Sequence, residues 1–520
     1  MDFFSLLYDT DRERDERQPE PAFFRDLNLD QVVGAIIKGK EEYNIRPLFF
    51  TSLRDENEIY FRQQVMQDLE QERAFAMIRT FSEQMKGVRR HLTQVRNMVY
   101  EPQRKAWFLD AATIYCSAVE HLFVELASLD VRSQGLSAFR QYLARYVESA
   151  AFGDLSRDTR QTKETLDAIR YRLHIKGRTI VVLPEGTVRD YSAEIEAVFG
   201  KFRQGDVKDY TVAFSEWVEM SHIDAQINDG VRRLFPTAFH QLDSFCATYT
   251  DFVDQDIVRF DREVQFYVSY LEYISPLRDR GLGFCYPTVS SSDKTVYVND
   301  GFDVALAHKL MSQNQEVVQN DFQLRDEERI IVISGPNQGG KTTFARMFAQ
   351  IHFLASLGFL VPGQKAKLLL FDSIFTHFER EEHIYEHNGK LRDDLIRIHE
   401  VLEHTTSQSI LILNEIFSST SLEDAFFLSE KIINAIIQRD ALCVMVTFIP
   451  KLTDVIPKTV AMVSTVSEDD PTIRTYKIIP RTADGMTYAM FIAEQFRLTY
   501  LSMKERLQHE GKPHESGPGL

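Results

Sequence analysis

Hydrophobic residues in the first half of the chain recur at helical spacing. In "NEIYFRQQVMQDLEQERAFAMIRTFSEQM", Ile59, Val65, Met66, Leu69, Phe75, Ile78 and Phe81 return at three- and four-residue steps, the signature of one buried stripe. The pattern is helical from about residue 22 to 130. Between about 131 and 250, further helical segments surround one short strand-like piece, "RTIVVLPEG". A long helix, "DQDIVRFDREVQFYVSYLEYISPL", then runs to about Leu277. No internal repeat is present.

The pattern changes near residue 283. "KTVYVND", "RIIVISG", "KLLLFDSIF", "SILILNE" and "ALCVMVTF" are short aliphatic runs separated by helical segments. That alternation predicts an α/β layer around a largely parallel, buried sheet. The charged stretch "DRERDERQPEP" (11–21) reads as an exposed link, and the tail "GKPHESGPGL" has no apolar periodicity and is expected to be disordered.

Two of the predicted strands end in chemistry. "ISGPNQGGKTTFAR" contains Gly335-x4-Gly340-Lys341-Thr342, a phosphate-binding loop between a strand and a helix. Its cradle comprises Gly335, Pro336, Asn337, Gln338, Gly339, Gly340, Lys341, Thr342 and Thr343. Backbone N–H groups there wrap phosphates, Lys341 reaches the β- and γ-phosphates, and the Thr342 hydroxyl ligates Mg²⁺. ATP and Mg²⁺ are therefore the expected ligands. The strand "ILILNEIFSSTS" ends in Asn414-Glu415, where nucleotide hydrolases commonly place Asp-Glu. Asn414 can accept a hydrogen bond from a metal-bound water but brings no charge to the cation. Glu415 is the group that would orient and activate the attacking water, with Lys341 as the other catalytic residue.

Composition limits the classes. The 520 residues are 44% hydrophobic and 26% charged, the balance of a multidomain globular chain. A net charge of −17 argues against a uniformly basic, nucleic-acid-coating surface, though not against a local basic stripe. Cys116, Cys246, Cys285 and Cys443 have neither metal-ligand nor disulfide spacing. No apolar run approaches the ~20 residues a membrane helix needs, and the N-terminus lacks a signal-peptide pattern, so a cytoplasmic protein without membrane contact is expected.

"GPNQGGKTT", "LASLGFLVPGQKAKLLLFDSIFTHF" and "LILNEIFSSTS" together resemble the ATPase domain of the MutS mismatch-repair family, in order and in spacing. The resemblance implies a mainly α-helical core, lever and clamp-like region followed by an α/β P-loop (ABC-type) ATPase domain. It implies a helical core over 1–130, a reduced clamp over 131–255 and a lever helix over 256–282. The ATPase would occupy 283–482, a helical dimer-bracing segment 483–510, and a disordered tail 511–520. "VVQND" is similar to the family's adenine-contacting segment, which would set Asn320 near the base. The family dimerises through its ATPase domains, so a homodimer is implied, and DNA, duplex or branched, is the implied partner.

The departures from that pattern bear on function. Helical core pattern already begins near residue 22, leaving no room for the N-terminal domain whose Phe-x-Glu wedge reads mismatches. Phe81-Ser82-Glu83, Phe123-Val124-Glu125 and Phe214-Ser215-Glu216 match that tripeptide but lie in helical pattern, and read as core or helix surface. Asn414 replaces an aspartate, and Phe448 stands where the family has histidine. The segment that would reach across the dimer, "HNGKLRDDL", has no hydroxyl. Lys390 beside Gly389 could contact a γ-phosphate in trans, or be an exposed loop lysine.

Two functions from different classes remain. One is a slow ATPase that couples nucleotide state to DNA binding in repair or recombination. "RQTKETLDAIRYRLHIKGR" would hold the DNA backbone through Arg170, Arg172, Lys176 and Arg178, although interleaved acids also suit a solvated helix face. The other is a nucleotide-gated protein-interaction module with little hydrolysis and no DNA grip, which the acidic balance favours. An ABC-type subunit outside repair is disfavoured by the "FDSIFT" block and the missing "LSGGQ". His377, His383, His387, His399 and His404 show no metal-ligand spacing, and Trp107 and Trp217 read as helix packing.

Overall fold

A computed structural model of the chain describes residues 3–10, 19–185, 221–379, 389–449, 456–467 and 473–481, with positions 195, 198, 452, 470, 503 and 504 besides. The first described elements are helices α1 (Leu29–Ile36), α2 (Glu56–Leu69), α3 (Glu72–Asn97), α4 (Glu101–Ser128), α5 (Gln134–Val147) and α6 (Ala150–Asp167). The hairpin β1 (Tyr171–Lys176)–β2 (Thr179–Pro184) follows, then α7 (His222–Leu234), α8 (Pro236–Thr248) and α9 (Gln255–Asp279). The remainder alternates strand and helix. It holds β3 (Phe284–Cys285), β4 (Thr288–Ser290), β5 (Val296–Gly301), α10 (Val304–Ser312), β6 (Asn320–Leu324), β7 (Ile330–Ser334) and α11 (Lys341–Ser356). After these come β8 (Val361–Pro362), β9 (Lys365–Leu369), β10 (Ile374–His377), α12 (Lys390–His404), β11 (Ile410–Asn414), α13 (Leu422–Arg439), β12 (Leu442–Val446), β13 (Thr459–Val466) and β14 (Arg474–Pro480).

The chain forms two compact units, one of Met1–Ser5 with Asp68–Val264 and one of Leu6–Gln67 with Gln265–Leu520. Among its described residues the first is helical apart from its hairpin. Helix α3 buries Met77, Ile78, Phe81, Met85 and Val88, and α4 buries Leu109, Ala112, Tyr115, Val119 and Leu122. These two stripes face each other, so the pair supplies much of the unit's core. Ser133 and Ser149 cap α5 and α6 by accepting the N–H of Leu136 and Phe152 at 3.3 and 3.2 Å, each cap contributing about 1 kcal/mol.

The stretch 57–85, continuous by periodicity, is broken at Glu70-Gln71 into α2 and α3. Just before the break, the buried Asp68 carboxylate accepts the N–H groups of Arg132 and Ser133 at 3.0 and 2.7 Å. The basic run 160–178 is likewise divided. Helix α6 ends at Asp167, and Arg172 and Lys176 lie on a strand. Tyr171, Leu173 and Ile175 alternate with Arg172, His174 and Lys176, a period of two that only a strand satisfies. Register pairs Leu173 with Val182 and Ile175 with Ile180 on one face, and Arg172, His174 and Lys176 with Leu183, Val181 and Thr179 on the other.

The second unit is built on a six-stranded sheet in the order β10-β11-β12-β7-β13-β14, parallel except for β14. Strands β7, β11 and β12 are buried at every residue, as their unbroken aliphatic sequences require when both faces of a sheet are covered. Ile398 of α12 and Ile432, Ile433 and Ile436 of α13 join Val332, Leu411, Leu413 and Met445 in one core cluster. Helix α11 packs on β11 and β12 and buries thirteen of its sixteen residues. A second, four-stranded sheet, β4-β9-β5-β6, brings the start of β6 towards β14. No helix among the described residues is long and apolar enough to cross a membrane.

Candidate functional site

Strand β7 ends at Ser334 and α11 begins at Lys341, so the loop 335–340 lies at the carboxyl edge of the parallel sheet and feeds a helix N-terminus. Backbone N–H groups that lack helical partners gather there, and the helix dipole favours an anion. Gly335 has φ 123°, and a Cβ on it would stand 3.0 Å from the Ser464 carbonyl. A Cβ on Gly339 would stand 2.2 Å from Ser464 Oγ. Both positions therefore need glycine because β13 presses on the loop, and Ser464 Oγ donates to the Gly339 carbonyl at 2.6 Å. Pro336 is half-buried, and Asn337 and Gln338 form the exposed crest, the latter with φ 61°.

Lys341 folds back into this loop. Its Nζ donates to the carbonyls of Gly335 and Pro336 at 3.0 and 3.1 Å and lies 3.8 Å from Glu415 Oε1. Burial pulls the Lys341 pKa below its ordinary value. The Glu415 carboxylate opposes that shift, and the Arg474 guanidinium adds to it. The Thr342 hydroxyl donates to Asn414 Oδ1 at 2.9 Å, joining the start of α11 to the end of β11. Thr343 lies one residue further along the same helical turn and is half-buried.

At Asn414 the chain leaves the sheet sharply. Glu415 and Phe417 have φ of 54° and 61°, a conformation that costs non-glycine residues on the order of 1 kcal/mol or more each. The bend is held by the Glu415 N–H donating to the Val446 carbonyl at 2.9 Å and by the full burial of Phe417. It leaves the Glu415 side chain about one-third exposed, beside Lys341.

Next to the loop is a cavity of about 400 Å³ lined by Phe302, Leu306, Leu310, Val318, Asn320 and Tyr476, reaching Gly340 and Thr343. Its walls are mostly apolar, as suits a flat aromatic group. Asn320 is buried, and its amide is engaged on both sides: Nδ2 donates to the Tyr476 carbonyl at 3.2 Å, and Oδ1 accepts the Ile478 N–H at 2.8 Å. Asn320 thus holds β14, and with it the half-exposed Tyr476 ring, at the cavity mouth.

Other sequence-derived candidates lie apart from this cluster. Lys390 opens α12 and its ammonium pairs with the Glu379 carboxylate, which also accepts from Ser418 Oγ at 3.4 Å. Of the hairpin cations, Lys176 and Arg178 are exposed, Arg172 is half-buried, and Arg170 is exposed and donates to the Asp167 and Ile169 carbonyls. His377 is buried and meets Asp394 Oδ1 at 3.0 Å, while His399 and His404 make contacts within α12. No cluster of three or more metal-ligating side chains occurs among the described residues. Phe81 and Ser82 are buried in α3, Val124 is exposed on α4, and Trp107 lies against His91 at a ring tilt of 36°. Phe448 is 46% exposed just past β12. Phe214-Ser215-Glu216, His383, His387, Trp217, most of the 483–510 segment and the 511–520 tail lie outside the described residues.

Sequence reasoning missed Ser464, Arg474, Tyr476 and Glu379. Arg474 Nε donates to the Asn337 carbonyl at 3.2 Å, which sets a second cation against the loop. The first three residues lie more than a hundred positions from the loop and come to it only because β13 pairs with β7 and β14 with β13. No local motif signals that pairing.

Residues 331–500 match the sequence model of MutS domain V. The human DNA mismatch repair protein Msh3 is 33% identical over 141 residues, which is 27% of this chain and 12% of that protein. The DNA mismatch repair protein MutS of Lactobacillus delbrueckii is 28% identical over 239 residues, covering 44% of this chain and 28% of that one. MutS of Thermotoga maritima is 29% identical over 184 residues, 35% of this chain and 23% of that protein. The matched stretches thus span under a third of these relatives' lengths.

Proposed function

From the premise that the C-terminal portion of this chain belongs to the MutS family, we propose a slow, ABC-type ATPase that dimerises and couples nucleotide state to DNA in repair or recombination. The observation that carries the nucleotide part is the Lys341 ammonium, held by the Gly335 and Pro336 carbonyls at the mouth of a helix N-terminus. Phosphate oxygens would replace those carbonyls as its partners, and the neighbouring cavity would take the base, stacked on Tyr476.

The donor set fits a hard divalent cation. Thr342 Oγ1 and Asn414 Oδ1 are oxygen donors 2.9 Å apart, and Mg²⁺ favours oxygen. When bound, Mg²⁺ would neutralise phosphate charge. Both protein donors are neutral, so this chain holds the ion with less charge than an aspartate would supply. Glu415, fixed by the Val446 bond and partly open to solvent, is the residue that would hold a water in line with the terminal phosphate and accept its proton. Lys341 would stabilise the charge developing on the phosphoryl oxygens.

DNA contact is assigned to the hairpin cations Arg172, Lys176 and Arg178, with Arg170 at its base. Cations spaced along a hairpin and its turn can follow a phosphate backbone without reading bases. The relatives named above carry DNA mismatch repair in their names, and that supports the repair setting. Calorimetry with ATP tests the site: Lys341→Ala should abolish binding, and Glu415→Gln should bind ATP while losing most turnover. Filter binding to intact, mismatched and branched duplex at two salt concentrations tests the DNA part. Affinity that ignores salt, or no binding at all, would leave a nucleotide-gated protein module in its place.

A further inference from the structure

The cavity beside the phosphate loop is rich in hydrogen-bond acceptors. No lysine, arginine or histidine lines it among the described residues. Its carboxylates and carboxamides are Gln315 and Glu316, which are exposed, and Asp303 and Asn320, which are only 5% and 7% exposed. Asn320 is committed to β14 through both Oδ1 and Nδ2. Asp303 is committed only in part. It caps α10, where its Oδ1 accepts the Leu306 N–H and a Gln350 Nε2 hydrogen, each at 3.0 Å. Oδ2 takes neither bond. Burial raises the Asp303 pKa above its ordinary value, opposed by the Leu306 N–H, the Gln350 amide, the Arg346 guanidinium and the Ala305 N–H. A carboxylate so buried gains more from one further donor than a solvated one does.

We infer that Asp303 is the base-reading residue of this cavity, its Oδ2 accepting the amino group of a 6-aminopurine. The inference rests on the nucleotide site proposed above and names the base that site takes. At position 6 adenine presents an amino donor, whereas guanine and hypoxanthine present an oxygen. The amino group completes the carboxylate's hydrogen bonding. An oxygen there would set two acceptors face to face in a largely apolar pocket, with no cationic side chain on its wall to separate them. The carboxylate is also held ready. Gln350 is fully buried, donates to Asp303 Oδ1 and accepts the Val304 N–H at 3.0 Å, so the same amide that seats the start of α10 fixes the plane of the carboxylate. One oxygen thus holds the helix and the other is left for the base. Asn320, whose position in the chain suggested a base contact, instead shapes the cavity by holding Tyr476 at its mouth.

Calorimetry of the full chain with ADP and with inosine diphosphate, each in Mg²⁺, tests the assignment. The wild type should bind ADP about tenfold or more tightly than inosine diphosphate. Asp303→Asn keeps an oxygen for Leu306 and Gln350 and puts an NH₂ donor in place of the second oxygen. It should therefore weaken ADP by about tenfold and strengthen inosine diphosphate, inverting the order. Asp303→Ser retains a helix-capping hydroxyl without reaching the base, and should bring the two affinities together. Equal affinities in the wild type overturn the inference and leave the nucleotide site standing. An Asp303→Asn chain that keeps the wild-type ratio, whatever its absolute affinity or melting temperature, overturns it as well, because a loosened helix weakens both nucleotides alike. Binding of neither nucleotide by the wild type overturns the nucleotide site itself, and the inference with it.

Discussion

The Thr342 hydroxyl and the Asn414 carboxamide oxygen stand 2.9 Å apart, hydrogen bonded across the gap between α11 and β11. A neutral amide keeps that bond but supplies no charge, so position and charge at this site can be tested separately. Asn414→Asp preserves the shape and adds the anion, and should raise turnover by about tenfold at limiting Mg²⁺. Asn414→Leu removes the oxygen, leaves the Thr342 hydroxyl without its partner and should cost about 1 kcal/mol of stability. Steady-state kinetics across a Mg²⁺ series with thermal melts reads both. Equal rates for the wild type and Asn414→Asp at every Mg²⁺ level would show that charge at this position does not limit the reaction.

Gly339 and Ser464 should be coupled. A Cβ at Gly339 would sit 2.2 Å from Ser464 Oγ and 3.0 Å from the Pro336 carbonyl, so Gly339→Ala must displace the loop. Its nucleotide affinity should fall by about tenfold or more. Adding Ser464→Ala removes the worst of these contacts and should return part of the affinity, even though Ser464→Ala alone loosens the loop by deleting the bond to the Gly339 carbonyl. Strictly additive losses in the double variant would contradict the contact.

The site was legible only where its residues are neighbours in sequence. The phosphate loop and Asn414-Glu415 each fall on a few consecutive residues at a strand end, so composition and spacing reveal them. The parallel sheet was legible for a related reason: "IIVIS", "ILILN" and "LCVMV" are apolar at nearly every position because both faces are covered. Arg474, Tyr476 and Ser464 carry no such mark. Their meaning comes from an edge pairing, β13 with β7 and β14 with β13, that no local pattern encodes. Strand β1 escaped notice because its alternation sits inside a basic run that reads equally well as a helix face. The Asp68 bonds beside the α2–α3 break are also invisible in sequence, since their partners lie 64 and 65 residues away.

His352 should make the second unit acid-sensitive. It is fully buried against Phe322 and Phe348, Nδ1–H donates to the Phe348 carbonyl at 2.8 Å, and Nε2 has no partner among the described residues. Burial lowers its pKa from 6.5 to about 4. The folded ring therefore stays neutral while the unfolded ring takes up a proton below pH 6.5. Its share of stability is present above that pH and drains away as pH falls towards 4. The loss is on the order of 3 kcal/mol. Denaturant melts between about pH 4 and 7 should show this slope in the wild type and a flatter one in His352→Leu. Parallel slopes in both chains would assign the acid sensitivity to other groups.

Lys390 offers the sharpest test of assembly. Its ammonium pairs with Glu379 of its own chain, and Ser418, three residues after Glu415, also reaches Glu379. If Lys390 is to meet the terminal phosphate of a second copy, one of the two roles its sequence position allows, it must first leave Glu379. The exposed pair is a weak restraint, worth at most about 1 kcal/mol, so a γ-phosphate can displace it. Glu379→Gln removes the competitor and should strengthen ATP-dependent dimerisation by about threefold, whereas Lys390→Ala should abolish it without changing the ATP affinity of the monomer. Sedimentation velocity with ATP and with ADP reads the dimer, and calorimetry reads the monomer site. Mixing Lys390→Ala with Lys341→Ala chains should restore one working site per pair, because each supplies what the other lacks. Unchanged dimerisation in Lys390→Ala, or no recovery on mixing, would leave Lys390 as half of a surface ion pair and move the trans contact elsewhere.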